Sequence, residues 1–200
     1  LITYLAVFSP WFFFFFSRII SIVFITILLA FINHVGVKNS TRFNNVLTIA
    51  KLIPLFLFII VGLFYIEPAN FEVKEVPGFS SFSSTVLLLV FAFGGFESVL
   101  VNSGEVKNPA KNLPFALLLA TTIIAILYVL IQTVSIGTLP TIGSSDKPLA
   151  EAAGLFIGKT GATIIAIGAL FSITGTLNAI MLVGSRVPFA LSEQQQFPKV

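Results

Sequence analysis

The stretch that decides the fold is VLLLVFAFGGFESVLVN, residues 86–102. It is apolar enough for a membrane helix, yet two adjacent glycines and a glutamate interrupt it. Each Gly in a helix interior costs about 1 kcal/mol relative to Ala, so Gly94-Gly95 favours a break. Unwound backbone at membrane depth leaves N–H and C=O groups unpaired, which is tolerated only where they face protein or a water-filled cavity. A break also exposes a half-helix N-terminus with positive partial charge. Discontinuous helices of this kind hold substrates near the midplane of transporters. Paired small residues equally permit close helix packing, and the glycines alone do not separate the two readings. Glu97 weighs toward the first, because a charge at the centre of a membrane helix costs about 2.5–3.5 kcal/mol and is rarely kept without a role. Two roles stay open for it: a structural or gating acid that satisfies free N–H groups of the second half-helix, or a direct proton carrier.

Working outward, the whole chain of 200 residues shares this character, with 56% hydrophobic and only 10% charged residues. A soluble domain carries about 25% charged residues. The composition therefore predicts an all-α integral membrane protein. The chain opens at Leu1 inside an apolar run and closes at FPKV, so a piece of a longer protein is expected. No secretory signal pattern stands at its front. With no Cys and a single His, His34, no thiolate chemistry or metal cluster is expected. The net charge of +3 is spread over loops, which gives no nucleic-acid surface.

A bilayer core of about 30 Å needs about 20 apolar residues per helix. Five segments qualify, at 12–34, 45–66, 84–102, 113–138 and 161–187, all within one transmembrane domain covering 1–200. Residues 1–9 read as the tail of a further helix, turned at Ser9-Pro10, and the run Trp11–Phe16 as an aromatic interface belt. The loop at 35–44, the loop at 103–112 and the end after 184 carry Lys38, Arg42, Lys107, Lys111, Arg186 and Lys199. Those six basic residues face four on the other side (Arg18, Lys74, Lys147 and Lys159), which makes the first side cytoplasmic. Segment 70–82 reads as an outside loop. In 146–158 the residues Leu149, Ala152, Ala153, Phe156 and Ile157 share one helical face, which predicts a short helix over the outer side.

Two further places carry polar groups at depth. Lys51 lies six residues beyond Asn45, about 9 Å along a helix. It is either a snorkelling lysine or, because Pro54 frees the carbonyl of Ala50 beside it, part of a polar pocket where it loads and releases a proton. In the last segment Gly168, Ser172, Gly175 and Ala179 form a small-residue stripe on one face. Close packing explains the glycines. Ser172, Thr174 and Asn178 are the weaker candidates to offer oxygens to a cavity.

FAFGGFESV followed by GEVKNPAKNLPFAL (104–117) resembles the amino acid–polyamine–organocation permeases. Their broken sixth helix has a [FW]-x-x-x-G-[FWV]-[ED] core, matched by Phe91, Gly95, Phe96 and Glu97. Their following loop, E-x-x-N-P-x-[KR]-N-[IL]-P, is matched by Glu105, Asn108, Pro109, Lys111, Asn112, Leu113 and Pro114. The segment around Lys51 is similar to the fifth helix, and TLNAIMLVGSRVPFAL to the eighth, with Ile180 where many members have Trp.

The resemblance implies part of a leucine-transporter-type inverted-repeat bundle, from the end of the third helix to just past the eighth. It implies a secondary transporter of amino acids or related amines in the plasma (cell inner) membrane. Such a protein works by alternating access, coupled to protons or to exchange, with no cofactor and no enzyme chemistry. In that picture Phe91 gates the substrate, and the backbone of Phe91, Ala92, Phe93, Gly94 and Gly95 cradles it, with carbonyls receiving the ammonium. Glu97 organises the break. Lys51 stands in for a sodium ion, and Ser172 and Thr174 lie beside it. The alternative is a membrane protein that does not transport: an amino acid sensor or an inactive truncated chain. The side chain of the substrate and the oligomeric state are not readable here.

Overall fold

A computed structural model describes residues 1–5, 15–72, 76, 78–96 and 106–193. Every regular element among them is helical. In chain order they are α1 (Ile2–Leu5), α2 (Phe15–His34), α3 (Val37–Gly62), α4 (Phe79–Phe93), α5 (Pro109–Thr138), α6 (Pro148–Phe156) and α7 (Lys159–Glu193). Short 3-10 turns at Leu63–Tyr65, Pro68–Phe71 and Ile142–Ser144 join them. Among the described residues four stretches, within α2, α3, α5 and α7, are long and apolar enough to cross a membrane, and α4 is a shorter apolar helix. The protein is an all-α, multi-pass membrane protein.

The helices outrun the apolar segments. Helix α3 begins at Val37, so the expected loop at 35–44 is mostly helix and Arg42 stands on its early turns. The chain reverses between α2 and α3 at Gly36, whose φ of +129° is open to glycine and strained for other residues. Helix α4 begins at Phe79, inside the expected outside loop. Its serines tolerate the helix because their hydroxyls bond back one turn, Ser84 Oγ to the Ser80 carbonyl and Thr85 Oγ1 to the Ser81 carbonyl, both at 2.9 Å. Helix α5 begins at Pro109, where proline at the first helical position loses no needed bond. Asn108 before it takes the left-handed conformation at φ 48°. The expected starts at residues 12–14, the end of the 84–102 segment from 97 onward and the tail at 194–200 lie outside the described residues.

The core lies where α3, α5, α6 and α7 meet. Phe58 and Ile59 of α3, Val134 of α5, Ala150, Ala152 and Ala153 of α6, and Ile165 of α7 are all buried there. Small residues set the spacing. A Cβ on Gly62 would lie 2.3 Å from Val134 Cγ1, so α3 and α5 touch almost backbone to side chain. Helix α6 packs its alanines inward, and Phe156 meets the ring of Phe58 at 5.5 Å and that of Tyr65 at 5.7 Å. At the same end, the Gly137 carbonyl of α5 accepts from Glu67 N (2.9 Å) and Asn70 Nδ2 (2.8 Å). These bonds pin the turn that carries Phe71.

Among the described residues, helices α3 and α7 share the most extensive contact. A Cβ on Gly168 would lie 2.5 Å from Pro54 Cγ. One on Gly175 would sit 3.5 Å from both Asn44 Oδ1 and Leu47 Cβ. The glycine stripe is therefore a packing surface against the proline-bearing face of α3.

Candidate functional site

The break comes where the glycines stand. Helix α4 ends at Phe93, Gly94 is extended (φ −64°, ψ 158°) and Gly95 has φ +102°. Nothing lies within 4 Å of a Cβ built on Gly95, so its backbone conformation, not crowding, is what calls for glycine. A helix end leaves its last carbonyls without intrahelical partners. Here the Phe91 carbonyl accepts from Gly94 N at 3.1 Å. The Ala92 carbonyl accepts from the hydroxyl of Tyr128, on α5, at 3.0 Å. The Tyr128 ring also meets Phe93 edge-on, with centroids 5.2 Å apart at 68°.

Beside this contact is a cavity of about 610 Å³ between α4, α5 and the Phe71 turn. Ala92, Phe93, Tyr128, Gln132 and Thr133 are among its lining residues. Phe91, Gly94 and Gly95 are not, and the Phe91 side chain is 76% exposed on a different face of α4. Glu97 lies outside the described residues.

Lys51 is half-buried and lines two cavities along the α3–α7 seam. One, of about 280 Å³, is mostly apolar and is shared with Tyr4, Pro54, Leu149, Gly168 and Ser172. The other, of about 140 Å³, is shared with Asn44, Thr48, Gly175 and Thr176. Thr48 Oγ1 donates to the Asn44 carbonyl (2.9 Å) and Thr176 Oγ1 to the Ser172 carbonyl (3.0 Å), so both hydroxyl oxygens keep accepting capacity toward the cavity. Asn44 Oδ1 is buried at its edge without a hydrogen-bond partner among the described residues.

The structure thus groups Lys51 with Ser172 and separates both from Ala92 and Phe93, since the two regions share no lining residue. Thr174 lines neither cavity; Thr176, one turn beyond Ser172, occupies that face instead. Asn178 is fully buried in a network and is not among the residues that line these three cavities. Its Oδ1 accepts from Asn33 Nδ2 at 3.0 Å, and its Nδ2 donates to Ser40 Oγ at 3.1 Å. Ser40 Oγ in turn donates to Asn33 Oδ1 at 2.8 Å, and Asn33 Nδ2 to the Leu29 carbonyl at 2.8 Å. The α2–α3 turn is so tied to α7.

Tyr128, Gln132, Asn44, Thr48 and Thr176 were not singled out from the sequence. A polar side chain inside an apolar helix, such as Gln132, is the signal that marks some of them; Asn44 stands in the polar stretch 37–45 and carries no such signal. Ile180 is exposed and supplies no wall to either region.

Comparison with known proteins bears on what this arrangement belongs to. A methylthioribose transporter from Bacillus subtilis is 35% identical over 164 residues, 82% of this chain and 36% of that protein. The branched-chain amino acid permease BcaP of the same organism is 34% identical over 181 residues, 87% of this chain and 38% of the permease. The serine/threonine exchanger SteT, also from B. subtilis, is 34% identical over 188 residues, 91% of this chain and 42% of the exchanger. The chain spans about two fifths of the length of these relatives. The amino acid permease family matches residues 1–200, the full stretch in which the helix break, the Asn-Pro loop and the lysine-bearing helix occur. The chain belongs to the amino acid permease family.

Proposed function

We propose that this chain is part of a single-domain secondary transporter that moves amino acids or related amines across the plasma (cell inner) membrane by alternating access. The observation that carries the reading is the end of α4 at Phe93, with Gly94 extended and Gly95 at φ +102° in the middle of an apolar segment. A helix C-terminus holds about half a negative charge, and its carbonyls suit an ammonium group. Phe91, exposed beside those carbonyls, is the gating aromatic, and Phe93, Gly94 and Gly95 complete the cradle. Glu97 organises the break.

Coupling is to protons or to substrate exchange. Lys51, half-buried between α3 and α7, supplies the fixed positive charge that a bound sodium ion would otherwise provide. Ser172 accompanies it on the same cavity. The permease and exchanger named above support an amino acid substrate. The methylthioribose transporter supports a second substrate class, a thiosugar.

The test is uptake by proteoliposomes of the full-length protein, with a panel of labelled amino acids, labelled methylthioribose, and sodium present or replaced by choline. Amino acid uptake without sodium is expected. An absolute sodium requirement would refute the coupling, and uptake of the thiosugar alone would move the substrate class. Lys51→Met should abolish net uptake; an unchanged rate in that variant would leave Lys51 a snorkelling residue.

A further inference from the structure

We propose that Tyr128 is a positioning residue for the substrate amino group: its hydroxyl fixes the direction of the Ala92 carbonyl at the end of the broken helix. The inference rests on the reading of the α4 carbonyls as an ammonium cradle.

The need for such a residue follows from where α4 stops. Carbonyls at a helix end in water are satisfied by solvent, but at membrane depth each must find a partner in the protein or a lined cavity. Depth can be read from both helices. Ala92 lies thirteen residues beyond Phe79, about 20 Å along α4, and Tyr128 ten residues before Thr138, about 15 Å along α5. Both distances reach the middle of a hydrocarbon core of about 30 Å. The contact between them therefore lies at the depth of the hydrocarbon core.

Tyrosine suits the position on two counts. Its hydroxyl donates to the Ala92 carbonyl at 3.0 Å, and its ring packs edge-on against the next residue, Phe93. One side chain thereby holds the last turn of α4 at two adjacent points. A carbonyl oxygen has two lone pairs, so the bond from Tyr128 directs the oxygen without closing it to a second donor. Ala92, Phe93 and Tyr128 all border the 610 Å³ cavity, so both partners of the bond belong to residues that line open space. The neighbouring Phe91 carbonyl is directed in the same way by Gly94 N. Tyr128 is the side-chain counterpart of that backbone bond, supplied from another helix.

The experiment compares saturable uptake by the full-length wild type, Tyr128→Phe and Thr122→Val in proteoliposomes. Tyr128→Phe keeps the ring and removes only the donor. It should raise KM for the transported amino acid about 3- to 10-fold, the span expected for one hydrogen bond, and leave Vmax within about 2-fold. The preference for the amino acid over its 2-hydroxy acid analogue, measured by competition, should fall in the same variant. Thr122→Val removes a hydroxyl from the same helix, one that bonds back to the Leu118 carbonyl at 2.8 Å and lies outside the cavity lining, so its KM should stay within about 2-fold of wild type. An unchanged KM in Tyr128→Phe overturns the inference, as does a loss confined to Vmax or an equal rise in Thr122→Val. Wild-type uptake with an indifferent Tyr128→Phe overturns this inference alone. A wild type that neither binds nor transports amino acids overturns the cradle and the inference together.

Discussion

Replacing Asn178 should loosen the α2–α3 turn from α7, and the structure sets the size of the effect. Asn178 and Ser40 are both fully buried, and Asn178 makes two short hydrogen bonds, at 3.0 Å to Asn33 Nδ2 and 3.1 Å to Ser40 Oγ. Two longer contacts of 3.4 Å, with Ser40 Oγ and the Ser40 carbonyl, add little. Side-chain hydrogen bonds inside membrane proteins average about 0.6 kcal/mol and reach about 1.7 kcal/mol. Two of them give about 1 to 3.5 kcal/mol for Asn178→Ala. The partners are not stranded by the change, because Asn33 Nδ2 still donates to the Leu29 carbonyl and Ser40 Oγ to Asn33 Oδ1. That places the expected loss in the lower half of the range, about 1 to 2 kcal/mol. Equilibrium unfolding of the full-length protein in mixed micelles measures it. Ser40→Ala and the double variant close the cycle, with a coupling energy of at least about 0.5 kcal/mol expected for residues in one network. Additive single losses, or an Asn178→Ala variant as stable as wild type, would refute the network as the tie between these helices.

Gly168→Ala should destabilise by about 1–3 kcal/mol in the same unfolding measurement, since the new Cβ meets the Pro54 ring at 2.5 Å and a ring fused to the backbone cannot swing away. A neutral result would mean that α3 and α7 separate more easily than their contact implies. Gly95→Ala should cost about 1–2 kcal/mol although nothing lies within 4 Å of its Cβ, because the penalty is that of φ +102° alone. A stabilised variant would show that the break does not need this backbone conformation.

How much of this was legible beforehand differs between backbone and site. The apolar runs locate the membrane helices because they report which residues must leave water. They do not report how far a helix continues. Val37 to Asn44 and Phe79 to Ser83 are helical because their backbone bonds are satisfied there too, with no apolar demand to announce it. The FAFGG break was visible because paired glycines act through local backbone preference, and local preference is written in adjacent residues. The partners of that break are written elsewhere. Tyr128 stands 36 residues from Ala92, and inside LLLATTIIAILYVLIQ it reads as one more membrane aromatic until α4 and α5 are laid side by side. Asn178 shows the same limit from the other direction. A helical repeat places it near Ser172 and so near a cavity. Its actual neighbours, Asn33 and Ser40, are 145 and 138 residues away, and only the antiparallel approach of the α2–α3 turn to α7 brings them together. Periodicity assigns a face, and depth assigns what that face meets. Thr176 lines the Lys51 cavity while Thr174 does not because, four residues on from Ser172, it returns to the α3-facing side, whereas two residues turn Thr174 away.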